Sequence, residues 1–251
     1  MASLEGKTAV VVGASGASNL GTAIARRLAE EGAHVVVAAR RKEPLQTLAD
    51  EIGGSAVVCD VTREEDIAEL FEAATAASGT VEAAVFSAGD YVPAAIAELS
   101  AELIRPSLEV SFAGALLFFK HAAAAMPEGG SVITVSSLTA RLPGPGLAVY
   151  AGARAGIDFA MKVAAWEYAD RGVRFNSIAA GLIKTDMTGP LFEMESVVEG
   201  HLLNTPAGRL GTLDDMAEAA LFLADGARSG YINGQVLDLA GGQQMGRLPR
   251  F

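Results

Sequence analysis

The chain of 251 residues has one cysteine, Cys59, three histidines and one tryptophan, and aromatic residues make up only 6% of it. A single cysteine excludes an intramolecular disulfide and fits a reducing compartment. His34, His121 and His201 are scattered and show no metal-ligand spacing, so no metal site is expected and none of the three reads as catalytic. Positive charge is scarce as well. Nineteen Lys and Arg stand against thirty Asp and Glu, a net charge of -11. A field of that sign repels polyanions, so no nucleic-acid partner is expected. Long apolar runs are missing. The most apolar helical stretch, residues 112–119, ends at Lys120-His121, far short of the roughly 20 residues of a membrane span. The opening MASLEGKTAVVVG is interrupted by Glu5 and Lys7 and does not read as a signal peptide. The expectation is a cytoplasmic protein without a membrane partner.

What the chain does have is apolar content, 51% of its residues, which excludes intrinsic disorder. Short β-branched runs at residues 8–12, 34–38, 56–58, 83–86, 132–135, 174–178 and 235–239 read as strands. Helical spacing fills residues 21–31, 64–76, 106–126, 148–170 and 214–224. Val10-Val11-Val12 and Val35-Val36-Val37 are apolar on both faces, as parallel strands covered by helices on each side must be. The alternation predicts an α/β fold: a Rossmann-like, doubly wound, seven-stranded parallel sheet between two helical layers, in one domain over residues 1–251. Gly32 reads as the glycine after a helix end. Thr62 with Glu65, and Thr212 with Asp215, read as capping boxes. Residues 139–147, rich in Gly and Pro, read as a functional loop.

The first strand runs into Gly13-Ala14-Ser15-Gly16-Ala17-Ser18-Asn19-Leu20-Gly21, and a helix follows. Small residues let the backbone approach a ligand, and the helix start offers N–H groups to a phosphate. A dinucleotide is the ligand this arrangement suits, with Gly13, Ser15, Asn19, Leu20 and Gly21 as its contacts. The second strand ends Ala39-Arg40-Arg41, where an NAD-binding chain would carry a carboxylate for the ribose 2′-hydroxyl. Arg40 and Arg41 can pair with a 2′-phosphate, so NADP(H) is favoured over NAD(H).

The chain resembles the short-chain dehydrogenase/reductases from Gly6 to Gly242. Cys59-Asp60-Val61, Phe86-Ser87-Ala88-Gly89, Val135-Ser136-Ser137, Tyr150 thirteen residues after Ser137, residues 176–181 ending in Gly181, Thr185, Pro206–Gly211 and Gly234–Leu237 follow that family's motifs in order. The resemblance implies that Asp60 and Val61 flank the adenine. It implies that Ser87, Ala88 and Gly89 line the cofactor, with Gly181, Ile183 and Thr185 beside the nicotinamide. It also implies a catalytic Ser137 and Tyr150, both Tyr150 and residue 154 touching the cofactor, and pairing of helices 106–126 and 148–170 into a homodimer or homotetramer. Three positions depart from the family pattern. Arg154 replaces the usual lysine, Ser111 replaces the usual asparagine, and the glycine loop is two residues longer than the common form.

The chemistry asks the tyrosine to give or take a proton at a carbonyl oxygen while hydride moves. A cation four residues on along a helix shares the tyrosine's face and favours the phenolate, so Arg154 is expected to serve there, with Ser111 as a fourth catalytic candidate. The reading is an NADP(H)-dependent oxidoreductase interconverting a ketone and a secondary alcohol. Two alternatives stay open. Halohydrin dehalogenases carry a Ser–Tyr–Arg triad of the same spacing, but they replace the glycine loop with a halide pocket bearing a bulky aromatic. A non-catalytic NADP(H)-binding protein is the other. Met187, Leu191, Phe192, Met194, Leu202 and Leu203 fall in the segment that forms the family's substrate lid and suggest a medium-sized, largely apolar substrate or a subunit interface. The tail, Gln243–Phe251, with Met245, Leu248 and Phe251, reads as a reach toward a neighbouring subunit or a frayed end.

Overall fold

The computed structural model describes residues 3–246, with the side chains of residues 77 and 78 excepted; Leu248 and Phe251 lie outside the described residues. The chain alternates strand and helix: β1 (Thr8–Val12), α1 (Leu20–Glu30), β2 (His34–Ala39), α2 (Lys42–Ile52), β3 (Ser55–Val58), α3 (Glu64–Ser78), β4 (Ala83–Phe86), α4 (Ala101–Leu108), α5 (Gly114–Ala124), β5 (Gly130–Ser137), α6 (Ala148–Glu167), β6 (Val173–Ala180), α7 (Gly189–Phe192), α8 (Glu195–Asn204), α9 (Leu213–Ala224), α10 (Gly226–Ser229) and β7 (Val236–Leu239). Every ladder is parallel and the spatial order is β3-β2-β1-β4-β5-β6-β7. This is the doubly wound, seven-stranded sheet expected from the sequence. The order reverses between β1 and β4, which opens a crevice above their carboxyl ends.

Each face of the sheet buries its own core. Val10, Val12, Phe86, Phe118, Phe175 and Ile157 pack under α3, α5 and α6. Val11, Val35, Ile24, Leu28, Leu45 and Leu221 pack under α1, α2 and α9. Adjacent valines of β1 thus face opposite layers, which is why that run is continuously apolar. On the outer rim, Arg174 of β6 is buried but donates to the carbonyls of Ser229 and Leu223 at 3.0 and 2.9 Å, closing α10 and the end of α9 against the sheet.

Several boundaries differ from the expectation. The helix expected over 106–126 starts earlier, at Ala101, and is interrupted by a π-helical turn at Glu109–Ala113 before α5. Pro106 has no N–H to donate and sits inside α4, just ahead of the irregular turn. Helix α6 stops at Glu167, and a short turn then ends on Gly172 with φ 69°. The Thr62–Glu65 capping box does not form. Thr62 instead gives its N–H and hydroxyl to Asp60 Oδ1 at 3.0 and 2.8 Å, and α3 begins after Arg63. The Thr212–Asp215 box does form at the start of α9. Gly32 follows α1 with φ 89°, as expected of a helix-end glycine.

Candidate active site

One cavity of about 1340 Å³ opens along the carboxyl edge of the sheet. Val12, Ala39, Ser137 and Ala180, from the last residues of β1, β2, β5 and β6, lie on its wall with Ser87 and Cys59 just beyond β4 and β3. Its nucleotide half is built around the glycine loop. Gly13 adopts φ 87°, and a Cβ there would lie 2.8 Å from the Ala88 nitrogen, so only glycine lets β1 turn over the end of β4. Asn19 caps α1: its Oδ1 accepts from Thr22 N at 2.7 Å and its Nδ2 donates to the Gly13 carbonyl at 3.1 Å. The first turn of α1 holds no acidic residue of its own, and the Asp186 carboxylate accepts from Ser18 N just before the Asn19 cap. Arg41 donates to the Ser15 carbonyl at 2.8 Å, bracing the loop, and Arg40 stands exposed beside it. The Asp60 carboxyl is held below its usual range, chiefly by the Thr62 N–H, with Arg40 and Arg63 assisting.

The chemical half joins β5 to α6. Ser137 ends β5, paired with Ala180 of β6, and its Oγ accepts from the Thr139 hydroxyl at 2.9 Å and the Thr139 N–H at 3.2 Å. Tyr150 lies in the first turn of α6, with the Tyr91 ring edge-on to it at 5.8 Å. One turn on, the Arg154 guanidinium carbon lies 5.2 Å from the centre of the Tyr150 ring. Arg154 is only 4% exposed. Its Nη1 donates to the Val135 carbonyl at 2.9 Å, while its Nε is buried without a partner. Its Nη2 fills the space in which a Cβ on Gly89 would sit. Arg141, in the loop between β5 and α6, pairs with Asp238 of β7 and anchors that loop to the sheet.

Of the residues expected at the site, Gly13, Ser15, Asn19, Leu20, Arg40, Arg41, Asp60, Val61, Ser87, Ala88, Gly89, Ser137, Tyr150, Arg154, Gly181, Ile183 and Thr185 all line this cavity. Gly21 and Ser111 do not. Gly21 lies against the Gly13 carbonyl, where a Cβ would come within 2.7 Å, and so packs the loop onto α1. Ser111 is fully buried in the π turn and donates to Asp90 Oδ1 at 3.1 Å, beside Ser107 at 2.8 Å. Its hydroxyl bonds that carboxylate and does not line the cavity. Of the lid residues, Met187 and Leu191 reach the wall, and Phe192, Met194, Leu202 and Leu203 do not.

A family model described as enoyl-(acyl carrier protein) reductase matches residues 13–244. Carbonyl reductase family member 4 of Danio rerio is 33% identical over 243 residues, spanning 95% of this chain and 98% of that protein. The 3-oxoacyl-[acyl-carrier-protein] reductase of Escherichia coli is 34% identical over 245 residues, spanning 96% of this chain and 98% of that protein. The structure of a short-chain type dehydrogenase/reductase from Mycobacterium ulcerans superposes with a TM-score of 0.93 at 30% identity, covering 99% of this chain and 93% of that one. The chain belongs to the short-chain dehydrogenase/reductase family. It is an oxidoreductase of that type.

This dehydrogenase/reductase places Tyr91 and Asp186 on the cavity wall, and Asp90 and Asp158 outside its lining, none of them singled out by the sequence. Asp90 and Tyr91 follow Gly89 directly, so their signal was adjacency to a recognised motif. Asp158 continues the spacing of four from Tyr150 through Arg154. It is buried, accepts from the Ser177 hydroxyl at 2.7 Å, and burial pushes its carboxyl up. Asp186 had no local signal. Its N–H donates to the Ser18 carbonyl at 2.7 Å and its Oδ2 accepts from Ser18 N at 3.2 Å, across 168 residues of sequence. These two bonds fasten the lengthened glycine loop to the segment that carries Thr185.

Proposed function

We propose that this single-domain, cytoplasmic chain interconverts a ketone and a secondary alcohol with NADP(H). The observation that carries the reading is convergence: Ser137, Tyr150 and Arg154 meet in the same cavity as the glycine loop and Arg40. The cradle fits a dinucleotide. The Gly13 turn, the N–H groups at the start of α1 and the Asp60 carboxylate suit a diphosphate and an adenosine, and Arg40 and Arg41 suit a 2′-phosphate. When bound, the nicotinamide supplies or accepts the hydride. The chain supplies the rest. Thr139 donates to Ser137 Oγ, which directs the serine's own proton to the substrate oxygen. Tyr150 gives that oxygen a proton during reduction, or takes one during oxidation. Arg154, a permanent cation one turn away, stabilises the charge that develops on the phenol oxygen. Its unpartnered Nε is a donor left for a ribose hydroxyl.

A halide pocket in the loop would need a bulky aromatic, and residues 13–21 hold none. The relatives' substrates, 3-oxoacyl groups among them, place ketones first in any assay. The test is a titration with NADPH and NADH, followed by nicotinamide fluorescence, and then a ketone panel. Tight NADPH binding, weaker NADH binding and turnover lost in Tyr150→Phe are the expected results. Absence of binding by either nucleotide overturns the reading. Assembly as a homodimer or homotetramer belongs to the same proposal, supported by the exposed apolar side chains Phe159, Val163 and Trp166 along α6.

A further inference from the structure

Helix α8 presents Val197, His201 and Asn204 to the cavity, at spacings of four and three that put them on one helix face. Gln243, from the turn after β7, joins them on the wall. His201 Nδ1 lies 3.3 Å from Gln243 Nε2. An amide nitrogen can only donate, so Nδ1 accepts, and the ring proton of the neutral imidazole then sits on Nε2. Asn204 gives one N–H of its Nδ2 to the Gly200 carbonyl at 2.8 Å, which leaves its other N–H and Oδ1. Gln243 Oε1 is a second acceptor. The cluster therefore offers His201 Nε2–H and the second N–H of each amide as donors, and two carbonyl oxygens as acceptors, beside the apolar side chains of Leu142, Pro143, Met187, Leu191 and Val197. Nearby polar side chains are already engaged. Thr188 gives its proton to the Ile183 carbonyl, Thr139 gives its own to Ser137, and the Asp186 carboxylate is held by Ser18 N.

We propose that His201, Asn204 and Gln243 form a recognition subsite for an uncharged hydroxyl or primary amide carried by the substrate away from its reacting carbon. The proposal rests on the reductase reading and names its substrate class: a bifunctional ketone, apolar along its length and polar at the far end. A hydroxyl accepts from Nε2–H and donates to a side-chain carbonyl, satisfying both kinds of group at once. A carboxylate has no proton to give to the two carbonyl oxygens, and it shares the cavity with the Asp186 carboxylate. An ammonium cannot accept. A methyl end displaces water from these part-exposed polar groups without replacing its hydrogen bonds, which costs affinity.

The experiment uses matched ketones of increasing chain length that end in a methyl, a hydroxyl or a carboxylate, assayed with NADPH. The hydroxyl series is expected to exceed the methyl series by about threefold or more in kcat/KM, through KM. His201→Phe and Asn204→Leu should each bring that ratio close to one, while the NADPH Kd stays unchanged because the nucleotide half is untouched. A ratio near one in the unaltered chain, a preference for the carboxylate, or a ratio that survives both substitutions overturns the proposal. If no ketone turns over, the reductase reading has failed, and calorimetric titration of the same compounds into the protein still decides the subsite. Tighter binding of the hydroxyl compounds that is lost in His201→Phe supports it, and equal binding of hydroxyl and methyl compounds sinks it.

Discussion

At the scale of single residues, the site depends on what each group leaves room for. Arg154 is longer than lysine, and it fits because Gly89 has no side chain where Nη2 lies. Gly89→Ala is expected to drive the guanidinium off the Val135 carbonyl, strand a buried cation and lower stability by about 1–3 kcal/mol. Urea unfolding measures this, and an unchanged midpoint would show that the arginine has another resting place. Cys59 makes the opposite point. It lines the cavity, yet burial pushes its thiol up to about 12, with Asp66 and Asp60 adding to the effect. The thiolate is the reactive form, so Cys59 should resist alkylation at neutral pH until the chain is unfolded. Rapid labelling of the native protein would contradict the burial described here.

At the scale of elements, helix α9 shows how a capping box and a neighbouring ion pair combine. Its capping box joins Thr212 and Asp215, and Arg209 grips the same carboxylate at 2.6 and 2.8 Å. The Asp215 carboxyl is thereby held far below its usual range, chiefly by Arg209. A carboxyl lowered in the folded state stabilises the fold above its unfolded value and loses that contribution as pH falls toward its folded one. Thr212→Ala should cost about 1 kcal/mol at neutral pH. Arg209→Ala should cost less, because the arginine is largely exposed, and that cost should fade in acid. Thermal unfolding against pH reads both, and an Arg209→Ala cost that grows in acid would refute the assignment. A contrast between local and long-range contacts explains what was legible in the sequence. Strands β1 and β2, the glycine loop, Ser137, Tyr150 and Arg154 announce themselves within a few neighbours. The π turn does not, because it answers to Pro106 and to packing against α6. The partner of the Ser111 hydroxyl, Asp90, lies 21 positions back, beyond any local window. The Asp186–Ser18 bonds join the two ends of the fold, and no local window contains both.

At the scale of the whole molecule, the surface combines strong negative charge with one apolar helix face. Phe159 is 71% exposed and Trp166 86%, both on α6, within a chain whose net charge is -11. Two such chains repel at long range and need a desolvated contact to associate. If α6 makes that contact, Trp166→Glu should weaken self-association by about tenfold or more, as loss of a central aromatic does. Sedimentation equilibrium gives the answer, and an unaltered mass would move the interface elsewhere. The strand order has a further consequence, in time. Strands β1 to β4 and the turn at Ser87–Ala88 lie within the first 90 residues, so the floor of the glycine loop is encoded early. Ser137 needs β6 beside it, and β6 in turn takes bonds from residues 232–235. Asp186, which fastens the glycine loop, and α9, which covers α1, come later still, so a chain cut after β4 lacks both the chemical half and the contacts that hold its nucleotide loop.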